Sequence, residues 1–417
     1  MTSTANVLVS GSPASRGAAV GTVSIITDAH HAIDALEEGG ILVTEMTTPD
    51  FVPLMKRAGA IITDKGGRTC HAAIVSRELG IPCIVGTGNA TEILKNGQTV
   101  TVNATEGKVY EGSQDTSEAN KIEEEKHKET KTKIFVNLAD PDLADKVGKM
   151  NVDGVGLLRA EFIIAHLGKH PRYMIDQGRS EEFVETLAEK IKIFARAFNP
   201  RPVTYRLTDF KTNEYRDLMG GEQYEPVEEN PMLGFRGAFR YAVDKEVFDL
   251  EMAALRKVEE EFENVRVMVP FIHTPDELRQ VKQMLDENGI AKGRIWMMAE
   301  LPSNVILLEQ FLDVGIDGVS IGSNDLTQLV LGLDRDNEKL AEVFDERNDA
   351  VMWCLERIIT TCAKRNVPVG ICGQAPSVHA DLTKKLVEWG ITSVSVSPDA
   401  IVQTRNLVGD LEKKINN

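Results

Sequence analysis

His71 holds a distinctive position among the eight histidines of the sequence. It closes the stretch Gly66-Gly-Arg-Thr-Cys-His71 and opens an apolar run, Ala72-Ala-Ile-Val75. Imidazole is a nucleophile that can carry a covalent group. A glycine-rich turn running into a helix N-terminus offers backbone N–H groups and a favourable dipole to a phosphoryl group. The plainer alternative is a histidine near a helix start with no chemistry, and the residues alone leave both open. No other candidate nucleophile has a base near it in sequence, and there is no Ser-His-Asp signature.

A second set of reactive types sits where short apolar runs end. These ends are Leu157-Leu-Arg159-Ala-Glu161, Tyr205-Arg206-Leu-Thr-Asp209, Met298-Ala-Glu300, Ile321-Gly-Ser323-Asn324-Asp325 and Gly370-Ile-Cys372-Gly373. Guanidinium forks suit phosphate or carboxylate oxygens. Arg159 and Arg206 are therefore candidates to hold an anion, with Arg236 and Arg335 as further candidates. Glu300 and Asp325 are hard oxygen donors that suit Mg²⁺ completed by substrate and water, and such an ion would stabilise an enolate oxygen. Cys372 could be a small buried filler or a proton donor and acceptor beside an enolate.

The elements that must position these groups are short and regularly spaced. From Ile134 onward, strand candidates fall at Ile134–Ala139, Gly154–Leu158, Val203–Leu207, Arg266–Phe271, Ile295–Ala299, Gly318–Gly322, Val367–Ile371 and Ser393–Ser397, with helical stretches such as Pro275–Glu287 and Asp345–Arg365 between them. Alternation of this kind implies a parallel sheet. Eight units in this length fit a (β/α)8 barrel, in which working residues lie at the C-terminal strand ends. An open doubly wound sheet is the rival arrangement. Residues 1–112 read instead as a small β-rich α/β domain of short apolar runs, including Gly21–Ile26, Gly40–Thr44, Ala60–Thr63, Cys83–Gly86 and Thr99–Asn103. Between the two, residues 113–133 are rich in Glu and Lys and nearly free of apolar residues, as expected of a solvated linker helix about 30 Å long. Such a helix would let one domain swing relative to the next.

Bulk composition narrows the class. The chain has 417 residues, 42% hydrophobic and 27% charged, as in globular proteins. A net charge of −17 argues against a nucleic-acid surface but not against a local cationic pocket. No apolar run approaches the ~18 residues of a membrane span. The start, Met1-Thr-Ser-Thr-Ala5, lacks the features of a signal peptide. The five cysteines have no metal-ligand pairing and read as reduced thiols in a cytoplasmic protein.

The stretch Gly66 to Ile74 resembles the phosphohistidine motif of the PEP-utilising enzymes, the family of phosphoenolpyruvate synthase, pyruvate,phosphate dikinase and Enzyme I of the sugar phosphotransferase system. Gly154-Val-Gly-Leu-Leu-Arg159, Ile321-Gly-Ser-Asn-Asp-Leu-Thr-Gln328 and Gly370-Ile-Cys-Gly373 resemble its substrate-site segments. Three further stretches resemble the synthase branch: Arg206 to Tyr215, Gly220 through Arg236, and Phe344 to Ala350. The likeness covers essentially the whole chain, with the motifs in the family's order.

This resemblance implies a swivelling phosphohistidine domain followed by a (β/α)8 barrel, with His71 as the phosphorylated residue. Arg159, Arg206 and Arg335 would bind the phosphate of phosphoenolpyruvate, with Asn324 assisting beside Ser323, and Arg236 would lie near the same site. Glu300 and Asp325 would ligate Mg²⁺, and Cys372 would protonate the enol carbon or deprotonate pyruvate. The synthase and dikinase also carry an ATP-binding domain ahead of the phosphohistidine domain. No P-loop pattern is found here, nor the helical insertion of Enzyme I. The expected partner is therefore a separate ATP-binding subunit or a missing N-terminal domain, alongside a homodimer through the barrel and neither nucleic acid nor membrane. Two activities remain in view. One is the half-reaction that forms phosphoenolpyruvate from pyruvate. The other is a phosphocarrier or phosphoenolpyruvate-sensing regulatory protein that passes its phosphoryl group to a protein partner.

Overall fold

A computed structural model describes residues 6–29, 32–48, 51–67, 70–117, 129–290, 293–335, 337, 340 and 343–415. The expected linker helix falls largely on residues 118–128, outside the described residues, and its described flanks are not helical. Two compact units form. The first comprises Met1–Glu125, Leu333–Asp345 and Ser397–Val402, and the second Lys126–Gly332, Glu346–Val396 and Gln403–Asn417. Among the described residues no helix is long and apolar enough to cross a membrane.

The first unit is built on one eight-stranded sheet. Its strands are β1 (Val7–Ser10), β2 (Ser12–Ser15), β3 (Ala18–Ile25), β4 (Ile41–Thr44), β5 (Ala60–Thr63), β6 (Cys83–Val85), β7 (Thr99–Asn103) and β8 (Lys108–Glu111). The order is β1-β8-β7-β3-β4-β5-β6-β2. β3 to β6 run parallel, while the flanking pairs are antiparallel. β4 and β5 are buried at every position, as strands covered on both faces must be. The helices Val52–Arg57 and His71–Leu79 form the crossovers from β4 to β5 and from β5 to β6. His71 is thus the first residue of a crossover helix at the C-terminal end of β5.

The second unit is a closed barrel of parallel strands, which excludes the open doubly wound sheet. It contains β9 (Lys133–Leu138), β10 (Val155–Arg159), β11 (Val203–Arg206), β12 (Val265–Val269), β13 (Ile295–Ala299), β14 (Gly318–Ile321), β15 (Val369–Ile371) and β16 (Ser393–Val396). β16 closes on β9 through Val394 beside Ile134 and Val396 beside Val136. Leu157, Met268, Trp296, Met298 and Cys372 cluster as buried residues contributed by four of these strands and their ends. The surrounding helices are amphipathic. In Pro275–Glu287, for example, Leu278, Val281 and Leu285 are buried at helical spacing.

Residues 207–264, between β11 and β12, make the longest excursion described from the barrel, and two buried polar clusters tie it down. Arg240 donates to both oxygens of Glu225, at 2.6 and 2.7 Å, and His170 Nε2 lies 3.0 Å from the same carboxylate. The Glu251 carboxylate accepts from Tyr205 Oη at 2.7 Å, from Thr208 N at 3.0 Å and from Thr208 Oγ1 at 2.9 Å. Tyr241 donates to the Thr208 carbonyl at 2.7 Å. Helical side chains therefore clamp both backbone groups of Thr208, one residue before Asp209.

Burial pushes the Glu251 carboxyl up to about 7, although its three donors pull the other way. A group raised on folding binds a proton more tightly in the native state. Its contribution is fully present below the unfolded value near 4.5 and is lost as pH rises toward 7. In denaturant unfolding, the stability difference between Glu251→Gln and the parent should shift toward the variant over this window, by at most about 3 kcal/mol. A difference that does not change with pH would contradict this assignment.

Candidate active site

The barrel places Arg159 and Arg206 side by side, as register partners on β10 and β11. Two neighbouring cations require anionic company. Arg206 Nη2 lies 3.1 Å from Glu161, and its Nη1 lies 3.5 Å from Asp209. The Asp209 backbone amide donates to Glu161 at 2.7 Å, tying that carboxylate to the end of β11. Arg206 Nε is buried with no hydrogen-bond partner among the described residues. An orphaned buried donor of this kind is costly unless a ligand satisfies it.

Arg236 arrives from the long excursion. It makes a bidentate pair with Asp209, Nε at 3.0 Å and Nη2 at 2.6 Å, and Nη2 also reaches Asp325 at 3.2 Å. Its guanidinium lies 4.0 Å from the centroid of the Phe271 ring, a cation–π contact strengthened by exclusion of water. Phe271 holds an unusual backbone, with φ at +45°, and its amide donates to Glu300 Oε1 at 2.7 Å. Gly237 follows Arg236, and a Cβ there would lie 2.5 Å from the Phe271 Cβ. Only glycine allows this approach, and its φ of +60° independently favours glycine.

Glu300, at the end of β13, is buried. Its carboxyl is held above the ordinary range by burial first, then by the negative charges of Asp325 and Asp209. Asp325 lies in the first turn of the helix Ser323–Leu331 that follows β14. Ser323 donates to Glu346 at 2.5 Å, and Asn324 Oδ1 accepts from the Gln374 amide at 3.2 Å. Cys372, just beyond β15, is also buried, and burial pushes its thiol up to about 11. The thiol senses the charges of Glu300, Arg206 and Arg159, so these four groups share one neighbourhood.

A buried carboxyl whose proton affinity is raised by a second buried carboxylate suits a divalent cation. No group of three or more His, Cys, Asp or Glu poised for a metal occurs among the described residues. As hard oxygen donors, Glu300 and Asp325 match a cation that takes one or two protein carboxylates and fills its other positions with water and substrate oxygens.

The second unit thus brings together Arg159, Arg206, Arg236, Glu300, Ser323, Asn324, Asp325 and Cys372. His71 and Arg335 belong to the first unit. There Thr47 Oγ1 lies 2.8 Å from His71 Nδ1, and Gly66, with φ at +101°, packs where a Cβ would meet Cys70 Sγ at 2.7 Å. Sequence reasoning had noted Glu161 and Asp209 as strand-end charges without seeing that they hold the arginines. Thr47 is not among the residues singled out there, and Phe271 and Glu346 appear only within a strand candidate and a motif, with no site role. A Phe directly after Pro270 at a strand end was the only signal for Phe271, and Thr47 had none.

Comparison with known proteins identifies the family. Residues 36–107 match the family model described as PEP-utilising enzyme, mobile domain. Residues 113–413 match that of PEP-utilising enzyme, PEP-binding domain. A relative from Staphylothermus marinus named probable phosphoenolpyruvate synthase is 49% identical, over 99% of this chain and 52% of its own length. A phosphoenolpyruvate synthase from Aeropyrum pernix is 47% identical, over 98% of this chain and 53% of its own length. One from Neisseria meningitidis is 46% identical, over 95% and 54% respectively. The chain spans about half the length of the curated relatives it matches. With both family models matching in order along its length, the chain belongs to the PEP-utilising enzymes.

Proposed function

We propose that this chain moves a phosphoryl group between His71 and the enol oxygen of pyruvate, the half-reaction that forms phosphoenolpyruvate in a pyruvate, water dikinase. The full reaction would convert ATP, pyruvate and water to AMP, phosphoenolpyruvate and phosphate, with an ATP-binding part outside these residues phosphorylating His71. In this reading residues 1–112 are the phosphohistidine domain, 113–133 the tether and 134–417 the substrate barrel. A cytoplasmic homodimer through the barrel belongs to the same reading. The observation that carries it is the register pair Arg159 and Arg206, with a buried, unsatisfied Arg206 Nε, beside two converging carboxylates.

Thr47 Oγ1 lies 2.8 Å from His71 Nδ1 and would orient the imidazole that carries the phosphoryl group. Arg159 and Arg206 would hold the transferring group and spread its charge, with Arg335 and Asn324 assisting. Arg236 would keep Asp209 and Asp325 in place, since it bonds to both. A Mg²⁺ ion held by Glu300 and Asp325 would supply Lewis-acid stabilisation to the enolate oxygen. Cys372 would give its proton to C3 of the enolate in one direction and take one from the pyruvate methyl group in the other.

Phosphoenolpyruvate with Mg²⁺ should add one phosphoryl group to the intact protein, seen by mass measurement. His71→Ala should take up none, and chelation of the metal should suppress labelling until Mg²⁺ is restored. Label that persists in His71→Ala sinks the assignment. Cys372→Ala should slow exchange of pyruvate methyl protons with deuterated water at least about 100-fold while still binding metal. Normal exchange in that variant would remove the thiol from the mechanism.

A further inference from the structure

The barrel interior beneath Cys372 contains a polar chain that the assigned chemistry does not use. Asn137, on β9, donates from Nδ2 to the Cys372 carbonyl at 3.0 Å. Ser395, on β16, donates to Asn137 Oδ1 at 2.6 Å. Both side chains are almost fully buried, at 1% and 2% exposure. In the barrel order β16 lies between β15 and β9, so the amide spans a neighbouring strand to reach the end of β15. It does so outside the ladder of backbone bonds that closes the barrel. The thiol itself donates to the Ile321 carbonyl on β14, with Sγ 3.6 Å from the oxygen.

A barrel closes as well on apolar layers, and buried amides and hydroxyls cost stability unless fully bonded. Here the sequence makes room for them. A Cβ on Gly156 would lie 2.5 Å from Ser395 Oγ. Ser320 and Ser395 also line a small cavity, together with Thr204 and Ser393. A buried amide bonded at both ends admits few orientations. It therefore fixes the carbonyl of the residue whose thiol must meet a substrate carbon.

We propose that Asn137 and Ser395 are positioning residues for Cys372: Ser395 orients the Asn137 amide, and the amide anchors the Cys372 backbone so that Sγ faces the reacting carbon. This rests on the reading of Cys372 as the proton donor. In the step concerned the S–H bond breaks and a C3–H bond forms. The enolate electron pair becomes that bond, the negative charge passes to sulfur, and solvent returns a proton to the thiolate. Phosphoryl transfer from phosphoenolpyruvate to His71 precedes this step and does not require it.

The test compares Asn137→Ala, Ser395→Ala, the double variant and Cys372→Ala in the full chain with Mg²⁺. Methyl-proton exchange of pyruvate should slow about 10- to 100-fold in both single positioning variants, the scale expected for a misplacement of about 1 Å. The KM for pyruvate and single-turnover labelling of His71 by phosphoenolpyruvate should stay within about twofold of the parent, an interval far smaller than the misplacement effect. The double variant should be no slower than Asn137→Ala alone, because the two residues act in series. Ser395→Ala removes only a hydroxyl and serves if Asn137→Ala does not fold. Parent-like exchange in Ser395→Ala, or loss of exchange and labelling together, overturns the inference. If Cys372→Ala abolishes exchange while the positioning variants keep it, the inference fails and the thiol assignment stands. If Cys372→Ala retains exchange, the thiol assignment fails and the inference falls with it.

Discussion

Charges drawn out of water together must neutralise one another or distort the fold. The barrel mouth meets this constraint with Arg206 and Arg236 set against Glu161, Asp209 and Asp325. Asp209 is the shared partner of both guanidiniums, and its own amide is bonded to Glu161. Moving one member shifts the charge balance of the others. The clamp on Thr208 by Glu251 and Tyr241 then has a purpose beyond stability, because it sets where Asp209 begins.

Closure of the barrel gathers groups that lie far apart in sequence, from Arg159 to Cys372, at one end of the strands. That end is also where loops vary without disturbing the strands beneath. The long excursion after β11 exploits this freedom by delivering Arg236 back over the mouth. Its anchor is the buried Glu225 carboxylate, bonded to Arg240 and His170, so a loop element reaches the precision of a strand end.

The barrel was legible because its strands are short, apolar and separated by helical stretches, and Ile295–Ala299 was read to the residue. Misread boundaries have local causes. The strand expected at Arg266–Phe271 stops at Val269, since Pro270 has no amide proton to offer a ladder and Phe271 turns to positive φ. The helix expected from Asp345 starts at Asp349, where the Asn348 side chain caps it by accepting from the Ala350 amide at 3.0 Å. β1, β2 and β8 were not read as strands. β1 and β2 are sheet edges, and Ser-Pro-Ala-Ser in β2 carries the proline that edges tolerate. Candidate site residues could be named from strand ends. Their partners could not, because Glu161 meets Arg206, and Asp209 meets Arg236, only once the chain has folded.

Phe271 also constrains how this site can evolve. A phenylalanine at positive φ costs about 1–2 kcal/mol relative to a relaxed backbone, and glycine would remove that cost. Glycine would also remove the ring beneath Arg236. Selection for a more robust fold and selection for a working site therefore pull this position in opposite directions. A gain in fold stability at this position would come at the expense of the site.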